Sequence, residues 1–153
     1  MNRQPLILAG SFLGVGMGAF VDGIVLHQLL QAHSMLSARY PLTSVTNLEI
    51  NMFWDGLFHA FAWLTTAMGI ALLWRALSPP EAPRCPGTMV GALLLGWGLF
   101  NLVEGLVNHH LLHLHHVRET SDHLAYDLAF LASGVALVGV GLWLIRRMKG
   151  KQA

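Results

Sequence analysis

Four stretches of this chain are long and apolar enough to cross a lipid bilayer, and that feature removes most folds from consideration. They lie near residues 6–30, 52–76, 88–112 and 124–145, each close to the ~20 residues that a helix needs to span the hydrocarbon. With no water to satisfy backbone amides there, an apolar span of this length is a helix whose hydrogen bonds close internally. The rest of the composition agrees: 54% of the 153 residues are hydrophobic and 11% charged, against about a quarter charged in an average soluble domain. The expectation is one all-α domain over residues 1–153, an integral membrane four-helix bundle. The first span is not read as a cleavable signal peptide, because it is too long, carries Asp22 and lacks a small-residue cleavage site.

Orientation follows from the basic residues. Arg3, Arg75, Arg84, Arg146, Arg147, Lys149 and Lys151 fall on one side of a four-pass arrangement, and Arg39 and Arg118 on the other. The positive-inside rule then puts both termini and the central loop in the cytoplasm. All nine histidines and every acid except Glu81 belong to the outer, periplasmic half. A net charge of +1 gives no reason to expect nucleic acid as a partner. The single cysteine, Cys85, cannot form an intrachain disulfide.

The chain also resembles itself. GMGAFVDGIVLHQ in the first span aligns without gaps to GLFNLVEGLVNHH in the third, so that Asp22 matches Glu104 and His27 matches His109. Asp55-x-x-x-His59 matches His123-x-x-x-Asp127 more weakly, at a somewhat shorter offset. This reads as two tandem helical hairpins in the same orientation, a parallel repeat about an axis along the membrane normal. Gly10, Gly14 and Gly18 form a stripe suited to close helix packing.

Asp22 and Glu104 lie about two-thirds of the way along outward-running spans, where an ionised carboxylate costs several kcal/mol unless it faces the interior and finds a partner. Counting along the helices puts His59 and Asp127 at a similar depth. One turn higher come His27, Asp55, His109, His110 and His123, with His113 beyond them. Carboxylates and imidazoles projecting inward from four helices are how metal sites are built in bundles. The awkward element is the spacing of five between Asp22 and His27, repeated by Glu104 and His109. On a regular helix the two side chains diverge by ~140°, whereas a π turn would bring them together. His115 and His116, in VNHHLLHLHH, rank lower as solvated loop residues.

The ten candidate metal-binding residues are therefore Asp22, His27, Asp55, His59, Glu104, His109, His110, His113, His123 and Asp127. Imidazole with carboxylate and no thiolate suits Fe, Mn, Zn or Cu, and four acids resemble a dinuclear site bridged by carboxylates. Haem would not need the acids. A proton relay or a purely structural polar network is the bland alternative.

The stretches VDGIVLHQLLQ, NMFWDGLFHAF and GLFNLVEGLVNHHLLHLHHV together resemble the bacterial membrane-protein family called domain of unknown function 2243. The resemblance covers all four spans. It implies a small polytopic inner-membrane protein and carries over no catalytic residues. The function expected from the residues is a membrane metalloprotein, with redox chemistry favoured and a metal-dependent hydrolase as an alternative. The rival class is a non-enzymatic protein delivering Cu or Zn to an envelope metalloenzyme. A structural subunit whose polar layer binds partner helices or quinone is a third possibility, and a homo-oligomer is compatible with each. Almost purely apolar inner halves argue against a transport path through the whole membrane.

Overall fold

The computed structural model describes residues 2–82 and 84–150. Among them are four helices long and apolar enough to cross a membrane, and no strands. Helix α1 is Gln4–Val21, opened by Pro5, and runs on as a π-helical segment, Asp22–Leu29. Helix α2 is Val45–Leu77. Helix α3 is Pro86–Glu104, again continued by a π segment, Gly105–Leu111. Helix α4 is His123–Gly150. Helix α2 starts about two turns before the expected 52. Ser44 caps it by accepting from the Asn47 amide at 3.2 Å, so the polar stretch ahead of the apolar run is helical too. A cap of this kind is a local signal that hydropathy does not weigh.

Helices α1 and α3 are the inner pair. Each packs on the other, and α2 and α4 flank them on opposite sides, α2 against α1 and α4 against α3. Close approach requires glycine at the central crossing: a methyl on Gly14 would overlap the Leu93 carbonyl, and one on Gly96 the Ser11 carbonyl. In lipid, where apolar side chains gain little by leaving the solvent, such backbone proximity is what holds helices together. Below the loop end of the bundle, Ala19, Phe58, Ala62 and Phe100 form a buried apolar cluster. It is the floor on which the polar layer rests.

Two long connections, residues 30–44 and 112–122, close that end. Both begin with the same backbone device. The amide of Leu30 reaches back to the Val25 carbonyl at 2.8 Å, and that of Leu112 to Val107 at 2.8 Å. The Ala32 amide bonds the Leu26 carbonyl at 2.8 Å, as that of Leu114 does Asn108 at 2.9 Å. Gln31 and His113 then sit in the left-handed region, at φ 49° and 47°. Residue for residue, the second connection begins as a copy of the first, in the same register that matches Asp22 to Glu104.

Candidate metal centre

The spacing of five between acid and histidine is resolved by the π turns. The wider turn rotates His27 back over Asp22, so that His27 Nε2 lies 3.3 Å from Asp22 Oδ2. In the same way His109 Nε2 lies 3.2 Å from Glu104 Oε1. The glycine after each acid gives the neighbouring helix room. A Cβ on Gly23 would come within 2.8 Å of His59 Nε2, and one on Gly105 within 2.9 Å of Leu131.

Helices α2 and α4 each supply one carboxylate behind these rings. His27 Nδ1 donates to Asp55 Oδ1 at 2.9 Å, and Asp127 Oδ1 is 3.3 Å from His109 Nδ1. The connections add matching amides, Met35 N–H to Asp55 at 2.8 Å and Val117 N–H to Asp127 at 2.9 Å. Asp55 and Asp127 thus hold the same place in the two halves. The expected pairing of Asp55 with His123, and of His59 with Asp127, is not the one that the contacts follow.

Two further histidines complete the cluster. His33 and His115 come from the connections, and their exposures of 2% and 0% remove them from solvent. His33 Nδ1 donates to the Val117 carbonyl and His115 Nδ1 to the Met35 carbonyl, both at 2.9 Å. Their rings stack face to face, 4.5 Å apart and 4° from parallel. His33 falls outside the expected set, and His115, expected in solvent, is buried. The signal that could have found them is the internal sequence match, because the register that aligns His27 with His109 also aligns His33 with His115.

In His27, His33 and His115, Nδ1 faces a carboxylate or carbonyl that can only accept, so it carries a ring proton, and a ring with that single proton keeps Nε2 for a ligand. Metal-binding histidines are held in this way, one nitrogen donating to a carbonyl or carboxylate and the other free to ligate. His27 Nε2 and His33 Nε2 are buried without a hydrogen bond, as are both ring nitrogens of His109 and Glu104 Oε2. Asp22 beside His27, and Glu104 and Asp127 beside His109, are close but not aligned to accept. Two trios bring their ligand atoms within 4.8 Å of one another: His27, His33 and His115, and Glu104, His109 and His115. His115 Nε2 is also 2.9 Å from Glu104 Oε1. Donors on one ion with bonds of about 2.0–2.1 Å sit roughly 3.3 Å apart, so binding an ion would draw the more widely separated of these atoms together. The described residues therefore include buried His/carboxylate groups that could bind metal.

The remaining candidates stand apart. His59, half-buried, donates through Nδ1 to the Asp55 carbonyl at 2.7 Å. His110 is half-buried and belongs to neither trio. His113 and His123 lie toward solvent with His116. His116 donates to Asp127 Oδ2 at 2.7 Å, opposite the oxygen that faces His109.

Neither the curated proteins nor the solved structures give a match to this chain. Its four membrane-spanning helices and buried polar layer do fall within a known family. The model of that family, described as a predicted membrane protein (DUF2243), matches residues 9–148, and the chain belongs to it.

Proposed function

We propose that this protein is a membrane-embedded metalloprotein whose His/carboxylate centre is dinuclear and carries out redox chemistry. The observation that carries the reading is the set of imidazoles His27, His33 and His115. Each has Nδ1 committed to an acceptor, and their ligand atoms lie within 4.8 Å of one another. His27 Nε2 and His33 Nε2 are buried without a hydrogen bond, which is unfavourable, and a cation between them removes the penalty.

Two ions are proposed because the ligands divide into equivalent sets, Asp22 with His27 and His33, and Glu104 with His109 and His115. His115 belongs to both trios but has only one nitrogen to offer, since Met35 holds the other, so it is assigned to the ion beside Glu104 and His109, leaving His27 and His33 with Asp22 for the second. The division supports a bundle of two tandem hairpins about a two-fold axis, making one domain of the whole chain. The distribution of Lys and Arg supports cytoplasmic termini in a bacterial inner membrane, with the centre on the periplasmic side.

Redox chemistry is preferred over hydrolysis because none of the eight inner residues is more than 6% exposed. A hydrolytic site keeps an open position for water and substrate, whereas electrons can reach an enclosed ion. On this reading the metal is iron, manganese or copper, since zinc has no redox chemistry.

Elemental analysis of detergent-purified protein, never exposed to chelator, tests the proposal. About two ions per chain are expected from a carboxylate-bridged bundle centre, retained through dialysis. A single ion would reduce the centre to one shared site, and a folded protein without metal would overturn the reading. The second reading, delivery of metal to an envelope enzyme, is favoured by the solvent-facing histidines and predicts metal that exchanges during dialysis.

A further inference from the structure

The two halves match closely in the interior and part company at the mouth. His113 corresponds to Gln31, which is left-handed like it, and His116 corresponds to Ser34. On the outer helices, where Asp127 corresponds to Asp55, the place one turn before the acid holds His123 in one half and Asn51 in the other. Asn51 closes its own connection, accepting from the Leu36 amide and donating to the Tyr40 carbonyl, both at 2.9 Å. One half thus fills these positions with amide and hydroxyl side chains, and the other places histidine at all three.

Those three histidines are neighbours. The rings of His116 and His123 stack with centroids 3.9 Å apart, and that of His113 is 6.3 Å from His116. His116 Nδ1 is held by Asp127 Oδ2 at 2.7 Å and His123 Nδ1 by the Thr120 carbonyl at 3.1 Å. Both rings therefore keep Nε2 as a lone pair, the arrangement of a ligating histidine. Unlike the inner set they are within reach of solvent: His113 is exposed, and His116 and His123 are half-exposed. The outer group meets the inner one at Asp127, whose two oxygens face His116 and His109. His115, next in the chain to His116, already points inward.

We infer that His113, His116 and His123 form a second, exposed metal site, an entry port on one side of the bundle that loads the buried centre. Their ligand atoms stand farther apart than those of the inner trios, so an ion would draw these exposed rings together, and three imidazoles open to water suit a borderline divalent ion held in exchange. The loading role rests on the buried centre proposed above, whereas the port as a binding site does not.

The probe is Cu2+ added to the full chain, stripped of metal in detergent and followed by electron paramagnetic resonance. Beside the wild type stand His113→Gln/His116→Ser/His123→Asn, which copies the first half, and His113→Gln/His123→Asn, which spares the bond to Asp127. The wild type should take up one Cu2+ at once, with nitrogen couplings, and yield it to a mild chelator. Both variants should lose that signal and fill the interior more slowly, yet reach the same final content. An exchangeable signal that survives in both variants overturns the port, and unchanged filling rates overturn its loading role. If the interior of the wild type takes up no metal while the exchangeable signal depends on these histidines, the port stands and the buried centre falls.

Discussion

His33 and His115 stack across the middle of the loop end, 4.5 Å apart and nearly parallel, and each is held by the connection that carries the other. The Nδ1 proton of His33 goes to Val117, just after His115, and that of His115 goes to Met35, just after His33. The clasp is reciprocal, so neither half can place its own imidazole alone. It also turns both Nε2 atoms away from backbone acceptors. Side chains from loops thereby gain the fixed tautomer and orientation that a ligand needs.

If the two halves contribute equally, paired substitutions should behave alike. Asp22→Asn and Glu104→Gln should each lower the metal content to a similar degree, as should His33→Ala and His115→Ala, by about tenfold or more in affinity. His59→Ala, which changes a ring outside both trios, should keep its metal. Elemental analysis of the purified variants is the check, and a silent Asp22→Asn beside a severe Glu104→Gln would rule out the symmetric centre.

His33 makes the metal-free protein sensitive to acid. Burial, with the neighbouring His115 and His27 adding repulsion, lowers its pKa from the usual 6.5 to about 2. Below about pH 6.5 the unfolded chain binds a proton that the folded chain refuses. Stability contributed by this residue is therefore whole above that pH and declines below it, by about 1.4 kcal/mol per pH unit. His33→Gln removes the difference. Thermal unfolding of the metal-free variant between pH 7 and 5 should show a shallower loss than the wild type, and parallel curves would refute the assignment.

The crossing of α1 and α3 should tolerate no methyl group. Gly14→Ala and Gly96→Ala each drive a Cβ into a backbone carbonyl of the partner helix, a form of overpacking that costs about 1–3 kcal/mol. Gly56→Ala, with nothing within 4 Å of the new Cβ, should be neutral or stabilising by up to ~1 kcal/mol. Melting temperatures in detergent separate the two classes.

Cys85 reports the orientation of the chain. It is half-exposed at the start of α3. The Thr88 hydroxyl bonds its sulfur at 3.2 Å and holds the thiol below its ordinary pKa, which favours the nucleophilic thiolate. With cytoplasmic termini, a membrane-impermeant maleimide should label Cys85 in inside-out vesicles and leave it untouched in intact spheroplasts. The reverse pattern would invert the topology.

The four spans and the acid–histidine pairs were legible in the sequence because their causes are local. A long apolar run must be a helix in lipid, an acid within it must face inward, and a spacing of five asks for a π turn, which Asp22/His27 and Glu104/His109 both receive. The capped start of α2 at Val45 was also local, although hydropathy alone passed over it.

The tertiary structure decided which polar residues meet. His33 and His115 lie in connections whose composition resembles solvated loop, and their burial comes from hydrogen bonds to partners far away in the chain, one in each direction. Asp55 and Asp127 became equivalent only once α2 and α4 had packed on opposite sides of the inner pair. Hydropathy and periodicity act over one helix, so the sequence by itself determined the spans and their inward-facing charges. Convergence of these side chains is a property of four helices and two loops at once, and only the packed bundle could bring it about.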